Sequence, residues 1–517
     1  MKKLLLIPLA IILIAGVCLP ACDAGPVEGS VLRIARASFN YESMDPIVWE
    51  AFWGWAMYDP LITFDDEGNI IGSCAESYTL SEDGLTWTFK VRPGVTFHNG
   101  DPLTSADLKF SVDRFAGEDS TNPWSPYLRG NYDYTECPDA ETFVYHALNP
   151  EPPLVMPFAW TRIIPKDYFE SVGAEGFTAH PIGSGPWKFV SFVSETSFEM
   201  EAFEDHWREV PAFERLIEYL APEESTRIAM LRAGEVDIAE AISMDNMMDL
   251  QDEGFTLQQV GLPGCANFSF TGTWLTDGPT ADINFRKAMS YAINRQEICD
   301  TLYYGLAEPG GRWFMAEQTW GWDPSWEADP YDPTLAESLL ADANYPDAFD
   351  DPVVTVWLQA GWPPTWMDAW QLIQGYWADV GIQSELQVVD PAEWAMFFVR
   401  ATGPDDQVVG GIFPWTWQGV FQNVYHCANM FTNVGIHSTS NDQVATDLYN
   451  EAVSELDADV ARQLWTEFIA YCYDELWINV GLWINPGYFV CDPDTVGDWS
   501  SHTHLSLWDA YAGIQQP

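Results

Sequence analysis

The stretch AESYTLSEDGLTWTFKVRPGVTFHNGDPLTSADLKFSVDRF, residues 75–115, carries a strand, two turns and a helix start in close succession. Trp87, Phe89 and Val91 alternate with Thr88 and Lys90, the period of a half-buried strand, and Arg92-Pro93-Gly94 ends it in a turn. His98-Asn99-Gly100 makes a second turn. Thr104 or Ser105 then caps a helix with Asp107 near its start, after which Leu108, Val112 and Phe115 fall on one face. Backbone geometry explains Gly84, Gly94, Gly100 and Thr104, so the stretch reads as fold and not as a binding site.

Working outward, Leu32-Arg33-Ile34-Ala35-Arg36-Ala37 predicts a first strand. Downstream, Ser225 caps a helix that turns Ile228 and Leu231 inward and stops at Gly234, with Val236 and Ile238 extended after it. Ala288, Met289, Ala292 and Ile293 form a helical stripe, and Asn294 with Glu297 makes a capping box for the next helix. Leu335, Leu339, Leu340 and Ala343 repeat that spacing, as do Trp366, Trp370, Ile373 and Trp377 before Gly381 and a strand over 382–389. Val460, Leu464, Phe468 and Cys472 make the last stripe. Helices alternating with strands predict an α/β fold, and the lack of a fixed period argues against a solenoid or propeller.

At the N-terminus, Lys2 and Lys3 precede an apolar run from Leu4 to Val17 and then Leu19-Pro20-Ala21-Cys22. The run is shorter than the about 20 apolar residues a spanning helix needs, so residues 1–21 read as a signal peptide ending in a lipoprotein cleavage box. Cys22 would carry the lipid on its thiol, whereas Cys18 follows the bulkier Val17. Residues 22–30 are small and polar, which suits a tether. The remaining chain exceeds what one core usually serves, so two or three domains are expected.

Acidic residues number 77 against 22 basic ones, a net charge of −55, and no lysine follows Lys287. Nucleic acid is thereby excluded as a partner. An apolar fraction of 47% makes this a folded acidic protein and not a disordered one. Charge spread along the whole chain favours a solvated surface suited to salty water over a field that draws cationic ligands. The cysteines after Cys22 are widely spaced and contain no CxxC, which speaks against a zinc cluster and leaves a few disulfides open in an exported protein.

Motifs for catalysis are missing: there is no HExxH, GxSxG, P-loop or complete GxGxxG. Gly183-Ser184-Gly185 has the wrong spacing for a nucleophile elbow and reads as a turn before a strand at Trp187. His502-Thr503-His504 could project two imidazoles to one side of a strand, but no further ligand spacing accompanies them, so no metal is assigned. Asp65–Asn69 reads as a hairpin turn and not as a calcium loop. No enzyme and no cofactor are expected.

The segment order resembles the bacterial extracellular solute-binding proteins of family five, the oligopeptide, dipeptide and nickel class. The residues that carry the likeness are the block from Ala75 to Asp107, Met44-Asp45-Pro46, Pro181–Trp187, Leu231–Asp237, Phe285–Arg295 and Tyr331–Ala336. The resemblance implies a type II periplasmic-binding-protein-like α/β fold, with two lobes joined by a hinge and an extra subdomain inserted in the first lobe. Carried over, the first lobe holds 31–50, 180–265 and 480–517, the insertion 51–179 and the second lobe 266–479. The chain would cross between lobes near Asn267–Phe270 and Trp477–Trp483. It further implies a monomeric, lipid-anchored binding protein in the periplasm or on the outer face of the cell membrane, serving the permease subunits of an ABC importer.

One departure matters for the ligand. Peptide binders of this family usually follow a tryptophan with an aspartate about three residues on, which pairs with the ligand's α-amino group. Here Trp417 is followed at that distance by Val420 and Trp415 by Gln418, neither able to supply a negative charge. Burying an ammonium without its partner costs several kcal/mol, so capture through a free N-terminus is in question.

Tryptophan is abundant, at 26 residues. Trp366, Trp370 and Trp377 fit a helix stripe and read as core, whereas Trp53, Trp55, Trp415, Trp417 and Trp483 escape helical or strand periodicity. With the resemblance, the candidate ligand contacts are Asn40, Tyr41, Trp53, Trp55, Trp415, Trp417, Gln418 and Trp483. An aromatic cleft suits peptides, oligosaccharides or flat organic ligands alike. A peptide or related small solute is the primary expectation, an oligosaccharide or other non-peptide ligand the alternative. An extracellular polymer hydrolase is the less favoured class, given the absent motifs and the cleavage box.

Overall fold

The computed structural model describes residues 29–517 except 40–41, 49–53, 65–69, 123, 275–276, 312–320, 324, 361, 363, 391–392, 395–410, 418–430, 434–439, 498 and 500–508. The strands of the N-terminal third are β1 (Val31–Arg36), β2 (Ile62–Phe64), β3 (Ile70–Gly72), β4 (Ala75–Leu80), β5 (Thr86–Val91), β6 (Tyr132–Asp139) and β7 (Thr142–Ala147). Next come β8 (Trp187–Val193), β9 (Ser197–Ala202), β10 (Arg215–Leu220), β11 (Ile238–Ala239) and β12 (Thr256–Thr271). The last are β13 (Glu308–Pro309), β14 (Val354–Gln359), β15 (Ser384–Val389), β16 (Gly411–Trp417) and β17 (Asn479–Cys491). One long mixed sheet runs β15-β14-β16-β12-β17-β11-β1-β10-β9-β8, with β13 beside β17. β4-β5-β7-β6 make a separate antiparallel sheet, and β2 pairs with β3.

β12 and β17 hold the long sheet together, and their register breaks between the pairs Val260–Gly487 and Gly264–Asn485. Three residues of β12 thus lie opposite one of β17. Pro263 and Pro486 stand in this break, and a proline has no N–H to give a ladder. On one side of it, β17 joins β11, and β11 joins β1 and the strands beyond. On the other, Cys265–Thr271 of β12 pair with β16, which lies parallel to β14.

Helices form where periodicity and caps place them, with instructive shifts. The helix Ser105–Ala116 has its capping box, with the Thr104 amide donating to Asp107 Oδ2 at 2.9 Å. Asn294 caps Arg295–Leu302 as expected. Ser225 is not a cap: that helix spans Glu224–Arg232 behind Glu223, and the Glu224 carboxylate instead accepts from the amide of Ser243, which caps the next helix. Leu335 and Val460 also depart from their expected faces. Both are exposed, while Ala336 and Leu340, and Ala461, Trp465, Phe468 and Ile469, turn inward.

Three buried clusters result. The largest runs from Ile228 and Met247 through Phe268 and Phe270 to Trp370, Trp377 and Trp465, so it continues across the break in β12. A second lies under β1 and β8–β10, around Leu32, Trp187 and Phe198. The third belongs to the four-stranded sheet, where Trp87, Phe89 and Tyr145 pack edge-on against Phe158. This sheet is tied to the second cluster at the Gly183-Ser184-Gly185 turn. A Cβ at Gly183 would lie 2.0 Å from the Met57 carbonyl oxygen and one at Gly185 2.5 Å from that of Ala56, so close approach demands glycine. His98 enters the same turn: the Gly183 amide donates to its Nδ1 at 3.2 Å, and its Nε2 faces the Gly185 carbonyl at 2.9 Å. Those partners assign the proton to Nε2.

Candidate ligand site

In open α/β sheets, ligands gather outside the carboxyl ends of parallel strands. At that end of β14, β15 and β16 the chain concentrates indoles. Trp362 follows β14, Trp366 opens the helix Pro364–Asp379, and Trp394 follows β15. Ring centroids run Trp357–Phe413 at 6.4 Å, Phe413–Trp394 at 6.2 Å, Trp394–Trp362 at 6.0 Å and Trp362–Trp366 at 4.6 Å. The series continues through Trp366–Trp483 at 5.5 Å to Trp483–Tyr303 at 5.4 Å. Trp357, Trp362 and Trp394 are half-buried, whereas Trp366, Trp483 and Tyr303 are buried. Each contact is within the range that favours aromatic pairs, so the rings brace one another. Trp394 is fixed further by its Nε1–H, which donates to the Trp357 carbonyl at 2.9 Å.

One face of β12 and β17 carries a neutral polar row of buried Asn267, Ser269 and Asn479. Asn479 Nδ2 donates to Asn267 Oδ1 at 2.8 Å and to Ser269 Oγ at 3.0 Å, and the Trp415 indole donates to the same hydroxyl at 3.0 Å. The polar groups that position Trp415 here carry no charge. Such a row fixes strand alignment without the desolvation cost of an ion.

Charge appears at the carboxyl ends of the other parallel strands. Arg36 closes β1 and donates to Glu240 Oε2 at 2.7 Å, Glu218 Oε1 at 2.8 Å and the Tyr511 hydroxyl, all buried. Burial alone would lower the Arg36 pKa, but Glu218 and Glu240 hold it above its usual range. Burial pushes the Glu240 carboxyl up. Two carboxylates on one guanidinium bind β1, β10 and the residue after β11 into one rigid edge.

Of the expected contacts, Trp415 lies opposite Asn267 and Trp483 opposite Ala266, on the two strands that flank β12. Alternation along β12 sends them to opposite faces of the sheet, and the ring series joins Trp483 to Trp366 and Trp362. Trp417 ends β16 opposite Cys265, and Trp55 lies in the short helix Gly54–Met57, but the side chains of both fall outside the described residues. So do Asn40, Tyr41, Trp53, Gln418 and Cys22. Sequence reasoning passed over Trp362, Trp394 and Tyr303 and read Trp366 as core alone. The signal for Trp394 was its place just after the strand predicted over 382–389, whereas the strand before Trp362 was not read from sequence. No group of three metal-ligating side chains occurs among the described residues, whose six cysteines are all free thiols.

The model of the bacterial extracellular solute-binding proteins, family 5, middle region, matches residues 69–465. The dipeptide-binding protein of Escherichia coli K12 is 25% identical over 441 residues, covering 79% of this chain and 78% of that protein. The glutathione-binding protein GsiB of Pectobacterium atrosepticum is 26% identical over 501 residues, 90% of each. Among solved structures, NikA of Brucella suis in complex with Fe(III)-EDTA superposes with a TM-score of 0.82 at 19% identity, over 94% of this chain and all of that one (100%). That likeness shows the expected type II periplasmic-binding-protein fold. With the family match extending over most of its length, the chain belongs to the family 5 bacterial extracellular solute-binding proteins.

Proposed function

We propose that this chain is the lipid-anchored, extracytoplasmic binding component of an ABC importer, acting as a monomer that delivers its solute unchanged to the permease subunits. The observation that carries the reading is the paired break in β12 and β17, where two adjacent strands lose register at Pro263 and Pro486. We place the hinge there, at 261–263 and 486, a few residues from the crossing expected from family resemblance. With the hinge there, the first lobe would take 31–50, 180–260 and 487–517 and the second 264–485, in place of the expected 180–265 with 480–517 and 266–479, while the insertion keeps 51–179. A peptide is the favoured solute, supported by the names of the dipeptide- and glutathione-binding relatives. The neutral row behind Trp415 and the residues Gln418 and Val420 support recognition with little dependence on a free α-amine. The indole series supports an oligosaccharide as the second reading, because sugars stack on such rings.

Cys22→Ala should release the protein from membranes, and the released chain serves a thermal-shift screen of free peptides, N-acetylated peptides and oligosaccharides. Free ligand at about 100 times Kd stabilises by about 2.7 kcal/mol. Peptides that shift the melt equally with and without acetylation, and are recovered intact, support the reading. Loss of the shift on acetylation would show that a carboxylate takes the amine after all, and cleavage of the ligand would show an enzyme.

A further inference from the structure

The four-stranded sheet and the helices after the break in β12 are joined in sequence only through the sheet around β1 and β8–β11, yet they touch. Gly84, at φ +72°, tips the turn between β4 and β5, and a Cβ there would lie 2.7 Å from Leu456 Cδ2 and 2.9 Å from Pro150 Cβ. Pro152–Leu154 pack on the helix Gln443–Ser454. Tyr449 of that helix is buried, and burial, with Tyr127 and Glu151 close by, raises its hydroxyl pKa. Tyr127 packs against both the cluster of the four-stranded sheet and the large cluster beyond the break.

We propose that this contact is a closure latch: Leu456 and Tyr449 seat on the 81–85 turn, Tyr127 and Pro150 when the lobes shut, so residues that never touch the solute help set its affinity. The inference rests on the lobe-closing function proposed above. Contact between two units that share no direct covalent link completes a ring of subdomain, first lobe, hinge and second lobe. Opening the cleft by turning at the hinge must therefore break it. Leu456 is 42% exposed and belongs to none of the buried clusters, so the site tolerates change without loss of the core. Losing such a partly buried leucine changes the closed-to-open ratio about fivefold to tenfold.

The test compares ligand-free Leu456→Ser with wild type and with Val444→Ser, a control on the helix that precedes Leu456, at a residue 50% exposed. Amide hydrogen exchange at residues 81–85 and at Glu151 and Leu154 should quicken about fivefold in Leu456→Ser, and the radius of gyration from small-angle scattering should rise, with Val444→Ser unchanged in both. Exchange in Leu456→Ser equal to that of the control would overturn the latch. Faster exchange at an unchanged radius of gyration would overturn it too, because the contact would then be static packing. Neither readout needs a ligand, so a failed ligand screen bears on the proposed function and not on the latch.

Discussion

His98 shows what one side chain does between two units. Burial holds its pKa down to about 4, because the neutral ring matches its two backbone partners and a second proton would meet the Gly183 amide. In the unfolded chain a histidine titrates near 6.5, so between about pH 6.5 and 4 the unfolded state binds a proton that the folded state refuses. Stability therefore falls as pH drops through that window, by up to about 3 kcal/mol, less for the part of the ring that still meets solvent. Asp59 acts in the next window down. Burial alone would raise its pKa, but His206, Arg208 and the Trp207 indole hold it at about 2, so its contribution fades only as pH falls from about 3.8 toward 2. His98→Gln should lower the urea midpoint at pH 7 and flatten the slope of stability between pH 6.5 and 4; an unchanged slope would show that the ring is not the titrating group. The sequence made His98-Asn99-Gly100 legible as a turn, since Gly100 at φ +86° is a local matter. It could not show the ring entering a turn at residues 183–185, because that contact depends on how distant segments dock.

At the scale of elements, the helix Ala458–Tyr471 shows how far periodicity reaches. The spacing located the helix, but chose Val460 and Leu464 for a face that Ala461 and Trp465 occupy. A stripe wide enough to fit either choice is settled by volume. Small Ala461 permits close approach, while Trp465 fills the space against Tyr449 and Phe468 at 5.7 and 6.0 Å. Trp465→Ala should therefore cost about 3–5 kcal/mol, whereas Val460→Asp, at a residue 45% exposed, should stay within about 0.5 kcal/mol in denaturant melts. Equal losses would return the helix to the face first read from sequence. The candidate site was legible to the same degree. Trp415 and Trp483 were picked because no period claimed them, but the series that links Trp483 to Trp362 and Trp394 depends on which strand ends lie side by side, which no local pattern encodes.

Across the whole molecule, the few cations are partly spent inside. The Arg227 guanidinium donates to the carbonyls of Glu240, Ala221, Pro222 and Ala241, and that of Arg286 to those of Thr280, Ala281, Leu476 and Trp477. Arg295 serves Gly481, Ser290 and Asp329 likewise. Buried carboxylates, among them Asp59, Glu218, Glu240 and Asp329, accompany these guanidiniums, so the acidic excess behind the net charge of −55 stays at the surface. Repulsion among surface carboxylates opposes the compact state and is screened by salt, with a Debye length of about 10 Å at 0.1 M and 3 Å at 1 M. The melting temperature should thus climb between dilute buffer and molar NaCl and level off; a flat or falling curve would speak for acidity that serves cationic ligands instead.

The break between β12 and β17 is uneven, three residues against one, and that inequality has mechanical content. In the hinge proposed above, the short side through Pro486 would act as a taut cord and 261–263 as a slack one. A joint so strung turns about its taut member, and the slack strand bows to take up the difference in path. Ladder pairs on both sides would resist twist and sliding in that hinge, leaving it one free swing. Like a door on a single pin, such a joint brings the same two edges together at every closing, so the walls a solute meets would not depend on how far the door had stood open.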